Sequence, residues 1–369
     1  MMTDEQYMKL ALALAESARG QTSPNPLVGA VVVKDGQIVG MGAHLKAGEP
    51  HAEVHAIRMA GEKAKGATAY VTLEPCSHYG KTPPCADLLI EAGVARVVIA
   101  TEDPFPKVSG RGIRKLQQAG IEVEVGICKQ EALDLNRIFF HFVRTKRPYV
   151  TIKSATTLDG KTATVQGNSK WITSEQARED VHRYRHEHDA ILVGVGTVLA
   201  DNPSLTTRLA AGGLNPVRVI LDRRLRTPLD RNVITDGKAP TWIFTEERAD
   251  KAKKKALEEK GVQVFSLPNV SVEAVLETLR EKNILSVFVE GGATVNGSFV
   301  KAGTVDQVIT YLAPKVFGGA AAPTAIGGDG VIAVADALPF EVQEVIQIGP
   351  DVKIVARAKE DGNDVYGNY

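Results

Sequence analysis

The sequence predicts two successive α/β domains, and three observations carry that prediction. The chain has 369 residues, enough for two domains of ordinary size. Apolar, β-branched runs alternate with stretches of helical periodicity over most of its length, the pattern of helices layered on a sheet. One basic, proline-containing stretch, HFVRTKRPYVT, breaks that rhythm near Arg147. It divides the chain into residues 1–147 and 148–369.

Composition narrows the class. A hydrophobic fraction of 44% and a charged fraction of 24% are those of a soluble globular protein. The formal net charge is zero, so no general electrostatic grip on nucleic acid or anionic membrane is expected. The N-terminus has early acidic residues and only a short apolar run, and it reads as an amphipathic helix rather than a signal peptide. No apolar run is long enough to span a bilayer. Three cysteines do not make a disulfide framework, so reduced thiols and a cytoplasmic setting are expected.

In order, Tyr7 to Ala18 has helical spacing and TSPNPLVG is a loop. AVVVKDGQIVGMG is a hairpin, with Asp35-Gly36 as its two-residue turn. His51 to Ala64 reads as a helix and ATAYVTLEP as a strand. Ala86 to Ala92 is a helix closed by Gly93. ARVVIATED, GRGIRKLQQAG and IEVEVGI follow as strand, helix and strand, and Cys128 is expected as a buried free thiol at a strand end. Beyond Arg147, Tyr149 to Ser154 opens the second domain. AILVGVGTVLAD, VRVILD, TWIFT, VQVFSL and SVFVEGG are its next strand candidates. Gln307 to Leu312, Phe340 to Ile348 and Val352 to Ala356 lack long intervening helices, so antiparallel pairing is expected there.

Two constellations carry chemistry. His51-Ala52-Glu53 opens a helix, a strand then delivers Glu74-Pro75-Cys76, and Cys85 starts the next helix. One imidazole and two thiolates make three ligands for Zn²⁺, leaving the fourth tetrahedral position open, as in catalytic sites. Zinc lowers the pKa of bound water from about 15.7 to roughly 7, and Glu53 is placed to shuttle its proton. The pattern matches the H-x-E and P-C parts of the nucleobase-deaminase signature, but eight residues, not two, separate the cysteines. A His-x-Glu at a helix start is ordinarily a solvated face, and two cysteines can be unrelated core thiols; the combination in this order favours the metal. His55 reads as an ordinary helix residue. In the second domain, SVFVEGGATVNGSF and GVGTVLADNP are glycine turns after strands, suited to phosphate. Neither matches G-x-G-x-x-G, so a Rossmann fold is not supported.

SPNPLVGAVVV, HAEVHAI, EPCSHYGKTPPC and DPFPKVSGRGI resemble the deaminase half of the bifunctional riboflavin-biosynthesis deaminase/reductases. LDGK, SKWITS, ILVGVGTVLADNPSLTTR and VEGGATVNGSF resemble the reductase half. The resemblance covers nearly the whole chain. It implies a cytidine-deaminase-like α/β/α domain followed by a dihydrofolate-reductase-like α/β domain. It implies hydrolytic deamination of 2,5-diamino-6-ribosylamino-4(3H)-pyrimidinone 5′-phosphate, then NADPH-dependent reduction of ribosyl to ribityl. The partners implied are small phosphorylated pyrimidines, without nucleic acid or membrane, in a homo-oligomer, dimer or tetramer.

By the same resemblance His51, Cys76 and Cys85 hold zinc, Glu53 moves the proton, and Asn25, His44, His78, Lys81 and Asp103 contact the pyrimidine substrate. Lys81 suits a phosphate as a point charge, and Asn25 can read an amide edge. Phe105 stands where family members often carry Asn. NADPH is assigned to Ala155, Trp171, Thr197, Asp201, Arg223, Gly292, Ala293, Thr294, Val295, Asn296, Gly297 and Ser298. The reduced substrate is assigned to Ser169, Leu205, Arg208 and Glu290, with Arg208 suited to a two-pronged phosphate contact. Trp171 reads as a flat wall beside the cofactor or as core packing. Lys153 reads as the cation that polarises the hydride acceptor, or as a surface lysine on an edge strand.

Overall fold

The computed structural model describes residues 2–77, 83–105 and 109–359. The chain forms two compact units, Met1–Lys146 and Arg147–Tyr369.

The first unit runs α1 (Asp4–Glu16), β1 (Gly29–Lys34), β2 (Gln37–Ala43), α2 (Ala52–Ala60), β3 (Thr68–Val71), α3 (Cys85–Glu91), β4 (Arg96–Ile99), α4 (Arg111–Gln118), β5 (Glu122–Val125), α5 (Lys129–Leu135) and α6 (Arg137–Thr145). The sheet order is β2-β1-β3-β4-β5. β1 is antiparallel to β2 and β3, whereas β3, β4 and β5 are parallel. Asp35 and Gly36 both take positive φ at the hairpin tip, which a primed two-residue turn requires. Val32, Val71, Val97 and Ile99 meet α2, α3 and α4 on one face; Val31, Val33, Tyr70 and Val98 meet α1 and α5 on the other. The sheet is thus sandwiched between helices.

Several details depart from expectation. α1 starts at Asp4, not Tyr7, because Thr3 and Gln6 form a capping box. The helix after His51 ends at Ala60, and Gly61–Ala64 continues as a 3₁₀ turn. Cys128 is half-buried and is the N-cap of α5, with φ +57, rather than the end of a strand. The helices α5 and α6 were not anticipated. Asn136 between them exchanges two 2.8 Å hydrogen bonds with the Leu27 backbone, fixing the loop that carries Asn25.

The second unit runs β6 (Tyr149–Thr157), α7 (Glu175–Glu187), β7 (Ala190–Gly194), α8 (Val195–Asp201), β8 (Val217–Leu221), α9 (Asn232–Thr235), β9 (Thr241–Glu246), α10 (Lys251–Glu258), β10 (Gln263–Leu267), α11 (Val272–Glu281), β11 (Ser286–Gly291), α12 (Ala293–Lys301), β12 (Gln307–Ala313), β13 (Phe340–Ile348) and β14 (Asp351–Ala358). Nine strands form one sheet in the order β10-β9-β8-β7-β11-β6-β12-β14-β13. The first seven in that order are mutually parallel, and β14 and β13 add antiparallel. β12 therefore pairs antiparallel only with β14 and is parallel to β6. The apolar run after Ala190 splits: the strand stops at Gly194 and α8 begins at once.

β6 lies inside the sheet between β11 and β12, so Lys153 is not on an edge strand. Side chains alternate along it. Val150 and Ile152 enter the main core, while Ala155 packs beside Phe288, Ile309 and Tyr311 on the face that α7 covers.

Candidate active sites

In the first unit three chain segments converge beside the end of β3. His51 is the N-cap of α2, Cys76 lies in the turn after β3, and Cys85 opens α3. The His51 Nδ1 stands 3.7 Å from Cys76 Sγ and 3.3 Å from Cys85 Sγ, and the three donor atoms lie within 4.8 Å of one another. Tetrahedral zinc, with Zn–S about 2.3 Å and Zn–N about 2.0 Å, separates N and S by about 3.5 Å. The donor set and its spacing fit that ion. Among the described residues no fourth His, Cys, Asp or Glu joins the cluster, and His55 stays outside it.

The electrostatics favour a thiolate at Cys76. The Cys85 thiol and backbone N–H both point at its sulfur, the latter at 3.2 Å, and His51 adds positive charge, so its pKa falls. The hydrogen bond to that sulfur, reinforced by burial, pushes the Cys85 thiol the other way. Glu53 is only 3% exposed and its Oε2 has no hydrogen-bond partner among the described residues. Burial, reinforced by Cys76, raises its carboxyl to about 7. A buried carboxyl with one oxygen left unpartnered, next to an open metal position, is poised to take and give a proton.

Of the substrate contacts assigned from sequence, Asn25, His44 and Asp103 fall around this centre. His44 donates from Nδ1 to the Pro50 carbonyl at 3.2 Å, which leaves Nε2 to accept from the Asn25 amide at 3.0 Å. Burial lowers the His44 pKa, in keeping with a neutral ring. The same ring meets His51 edge-on, with centroids 5.3 Å apart. Asp103 is buried, its carboxyl raised to about 6 by desolvation, and accepts from the Phe105 N–H at 2.8 Å. The Phe105 backbone makes this contact, so the side chain at 105 is not what holds Asp103. His78 and Lys81 lie outside the described residues.

In the second unit a cleft of about 1040 Å³ opens beyond the ends of β7, β8 and β11. It gathers Thr197, Asp201, Arg223, Gly292, Ala293, Thr294, Val295 and Ser298. Gly291 and Gly292 both have positive φ. A Cβ on Gly291 would come within 2.7 Å of Asn296 Oδ1, so this turn requires glycine. Gly292 caps α12 without a side chain, leaving the first amides of that helix to an anion. Four assigned residues are not among those lining the cleft. Asn296 donates to the Ala325 carbonyl at 2.8 Å, and Gly297 packs on Gly327. Ala155 faces α7. Trp171 is 64% exposed under the Arg178 guanidinium, 4.4 Å from the ring centroid, so it is not core packing. Arg224 and Arg226 do line the cleft and were not singled out from sequence.

A charged cluster sits nearby. Glu290 forms a two-pronged pair with Arg185, at 2.5 and 2.9 Å. Arg185 also donates to the Thr206 carbonyl at 3.0 Å, and Arg208 donates to the Thr206 hydroxyl at 3.3 Å. Burial lowers the pKa of Lys153, offset in part by Glu290. Leu205 buries its side chain in the core with φ +51, so what it can offer a ligand is backbone. Ser169 is half-buried in the loop before Trp171. Arg185 escaped sequence reasoning because VHRYRHEH offers several equivalent cations; only the fold selects the one facing Glu290.

Comparison with known proteins resolves what these two sites belong to. Residues 1–101 match the cytidine and deoxycytidylate deaminase zinc-binding region, and residues 148–354 match the RibD C-terminal domain. The riboflavin biosynthesis protein RibD of Bacillus amyloliquefaciens is 57% identical, covering 99% of this chain and all of that protein. The chain belongs to the RibD family. The Escherichia coli K12 RibD is 46% identical over 95% of the chain and 98% of its own length. Among solved structures, Acinetobacter baumannii RibD superposes with a TM-score of 0.88 at 41% identity, covering 97% and 99% of the two chains. The deaminase/reductase of Thermotoga maritima gives 0.87 at 42%, covering 96% and 99%. As a RibD, the chain is a bifunctional deaminase and reductase of riboflavin biosynthesis, with Zn²⁺ and NADPH as cofactors. Its first unit is cytidine-deaminase-like and its second is the RibD reductase domain.

Proposed function

We propose the following residue roles in the two reactions. His51, Cys76 and Cys85 hold the zinc ion, which when bound supplies Lewis acidity and makes water a competent nucleophile near neutral pH. Glu53 takes one proton from the water and passes it to a ring nitrogen of the diaminopyrimidinone; it then takes the proton of the hydroxyl added to the ring carbon and gives it to the amine as the C–N bond breaks and the carbonyl forms, so that water is consumed and ammonia released. Asn25 reads the ring's amide edge with the hydrogen-bonding capacity that His44 leaves it. Asp103 is a second contact, and His78 and Lys81 complete the set. The observation that carries this reading is the buried Glu53 carboxyl, its Oε2 without a hydrogen-bond partner among the described residues, beside a three-donor metal cluster.

In the second unit, NADPH supplies the hydride that reduces the ribosyl group. The cleft lined by Thr197, Asp201 and the start of α12 receives the cofactor, its pyrophosphate at the helix N-terminus. Ala155, Trp171, Asn296 and Gly297 shape its surroundings. Arg223, joined by Arg224 and Arg226, supplies cations for the 2′-phosphate. Lys153 stabilises the charge that develops at the reduced carbon. Glu290 and Arg185 hold Lys153 and the substrate in register, while Arg208, Ser169 and the Leu205 backbone secure the substrate.

The enzyme acts in the cytoplasm on free phosphorylated pyrimidines. We assign it as a homo-oligomer: edge strand β13 exposes Val342, Val345 and Ile346, an apolar edge that a second copy would cover.

The test follows ammonia and reduced-cofactor absorbance together on the phosphorylated diaminopyrimidinone. Glu53→Gln should lower ammonia release by about 10²–10⁴-fold, keep zinc bound, and leave reduction of the pre-deaminated substrate intact. Loss of zinc together with both activities would sink the Glu53 assignment.

A further inference from the structure

Glu74 precedes the metal-binding turn and belongs to no ligand set, yet it is only 3% exposed. Every position open to its carboxylate is filled by backbone N–H groups. Oε1 accepts from Gly112 at 2.8 Å and Ile113 at 3.3 Å; Oε2 accepts from Gly110 at 2.9 Å and Asp103 at 3.3 Å. Gly112 and Ile113 belong to the first turn of α4, whose N-cap, Gly110, has no side chain to offer. Glu74 therefore caps α4 from a different part of the chain, as an anion at the positive end of a helix. The fit is close. A Cβ on Gly112 would stand 2.1 Å from the Pro75 carbonyl oxygen.

We propose that Glu74 is a positioning residue for deamination: its carboxylate ties the Asp103 backbone and the α4 terminus to the turn that carries Cys76. Three consecutive residues then divide the work. Glu74 anchors the Asp103 segment, Pro75 packs on Gly112, and Cys76 faces the metal. A purely structural carboxylate would be satisfied by capping α4 alone. The fourth bond, to the N–H of Asp103 itself, links the carboxylate to a residue assigned to the substrate.

This inference rests on the assignment of Asp103 as a substrate contact, and the experiment separates the two. Full-length enzyme carrying Glu74→Gln, Asp103→Asn or both is compared with wild type for zinc content, deaminase KM and kcat, and reductase rate on pre-deaminated substrate. The Gln amide turns a donor toward two backbone donors, so the isosteric change breaks half of the cap. Expected for Glu74→Gln is a KM raised about tenfold, a smaller change in kcat, full zinc, and an unchanged reductase rate. In the double variant the effects should not multiply, because both act through one contact. If Glu74→Gln fails to fold, Glu74→Asp, which keeps the charge on a shorter arm, should show the same KM-weighted defect. Zinc loss, a kcat defect at constant KM, or multiplicative effects would overturn the proposal. An unchanged KM in Asp103→Asn would overturn the Asp103 assignment and the proposal with it; an unchanged KM in Glu74→Gln alone would overturn only the latter.

Discussion

Glu290 keeps a negative charge where burial alone would neutralise it. Desolvation pushes its carboxyl up, but Arg185 and Lys153 outweigh that and hold it at about 2, against an ordinary 4.5. The sign follows. Stability from a carboxylate held below its unfolded value is complete above that value and disappears as pH falls through the folded one. It amounts to something on the order of 3 kcal/mol. The wild-type advantage over Glu290→Gln in the thermal midpoint of the second unit should be full above pH 5 and shrink toward pH 2. A constant difference across that range would contradict the charge pairing. At this scale the sequence was most informative where residue types are chemically scarce. His51, Cys76 and Cys85 pointed to a metal because few other combinations in the chain could bind one. Lys153 and Arg185 were harder, since lysine and arginine occur everywhere and only the fold, β6 beside β11 and α7 packed on that sheet, brings them to Glu290.

Element boundaries were legible where local chemistry sets them and obscure where tertiary packing does. The Asp35-Gly36 turn and the glycine end of β11 were readable, because positive φ has few residue solutions. The division of AILVGVGTVLAD into β7 and α8 was not, since one apolar run serves either period. The interior place of β6 could not be read at all, because pattern does not give sheet order. α12 shows how tightly such an element can be bound. A Cβ at Gly297 would lie 1.9 Å from the Gly327 carbonyl oxygen, with backbone on both sides of the contact. Gly297→Ala should therefore displace the helix or the 325–328 stretch, costing about 1–3 kcal/mol. It should raise the KM for NADPH while leaving ammonia release unchanged. An unaltered melting temperature would show that the contact relaxes freely.

Each unit closes its own sheet from contiguous sequence, and the division falls between Lys146 and Arg147. The Arg147 side chain pairs with Asp306 at 2.6 Å and donates to the Thr304 carbonyl at 2.8 Å, so it belongs to the second unit. Fragments 1–146 and 147–369 should each fold, the first releasing ammonia and the second oxidising NADPH with pre-deaminated substrate. Aggregation of either fragment would show that it needs the other. A change of composition near Arg147 suggested where to divide the chain, whereas no pattern predicted the nine-strand breadth of the second sheet.

Both tryptophans of the chain, Trp171 and Trp242, fall in the second unit. Excited at the red edge of indole absorption, the protein emits from its reductase half alone. Trp171, exposed and overlain by Arg178, is the emitter open to solvent, while Trp242 packs against Phe265. Quenching by iodide should pick out the first and spare the second, giving an optical probe of that half in the intact enzyme without a label.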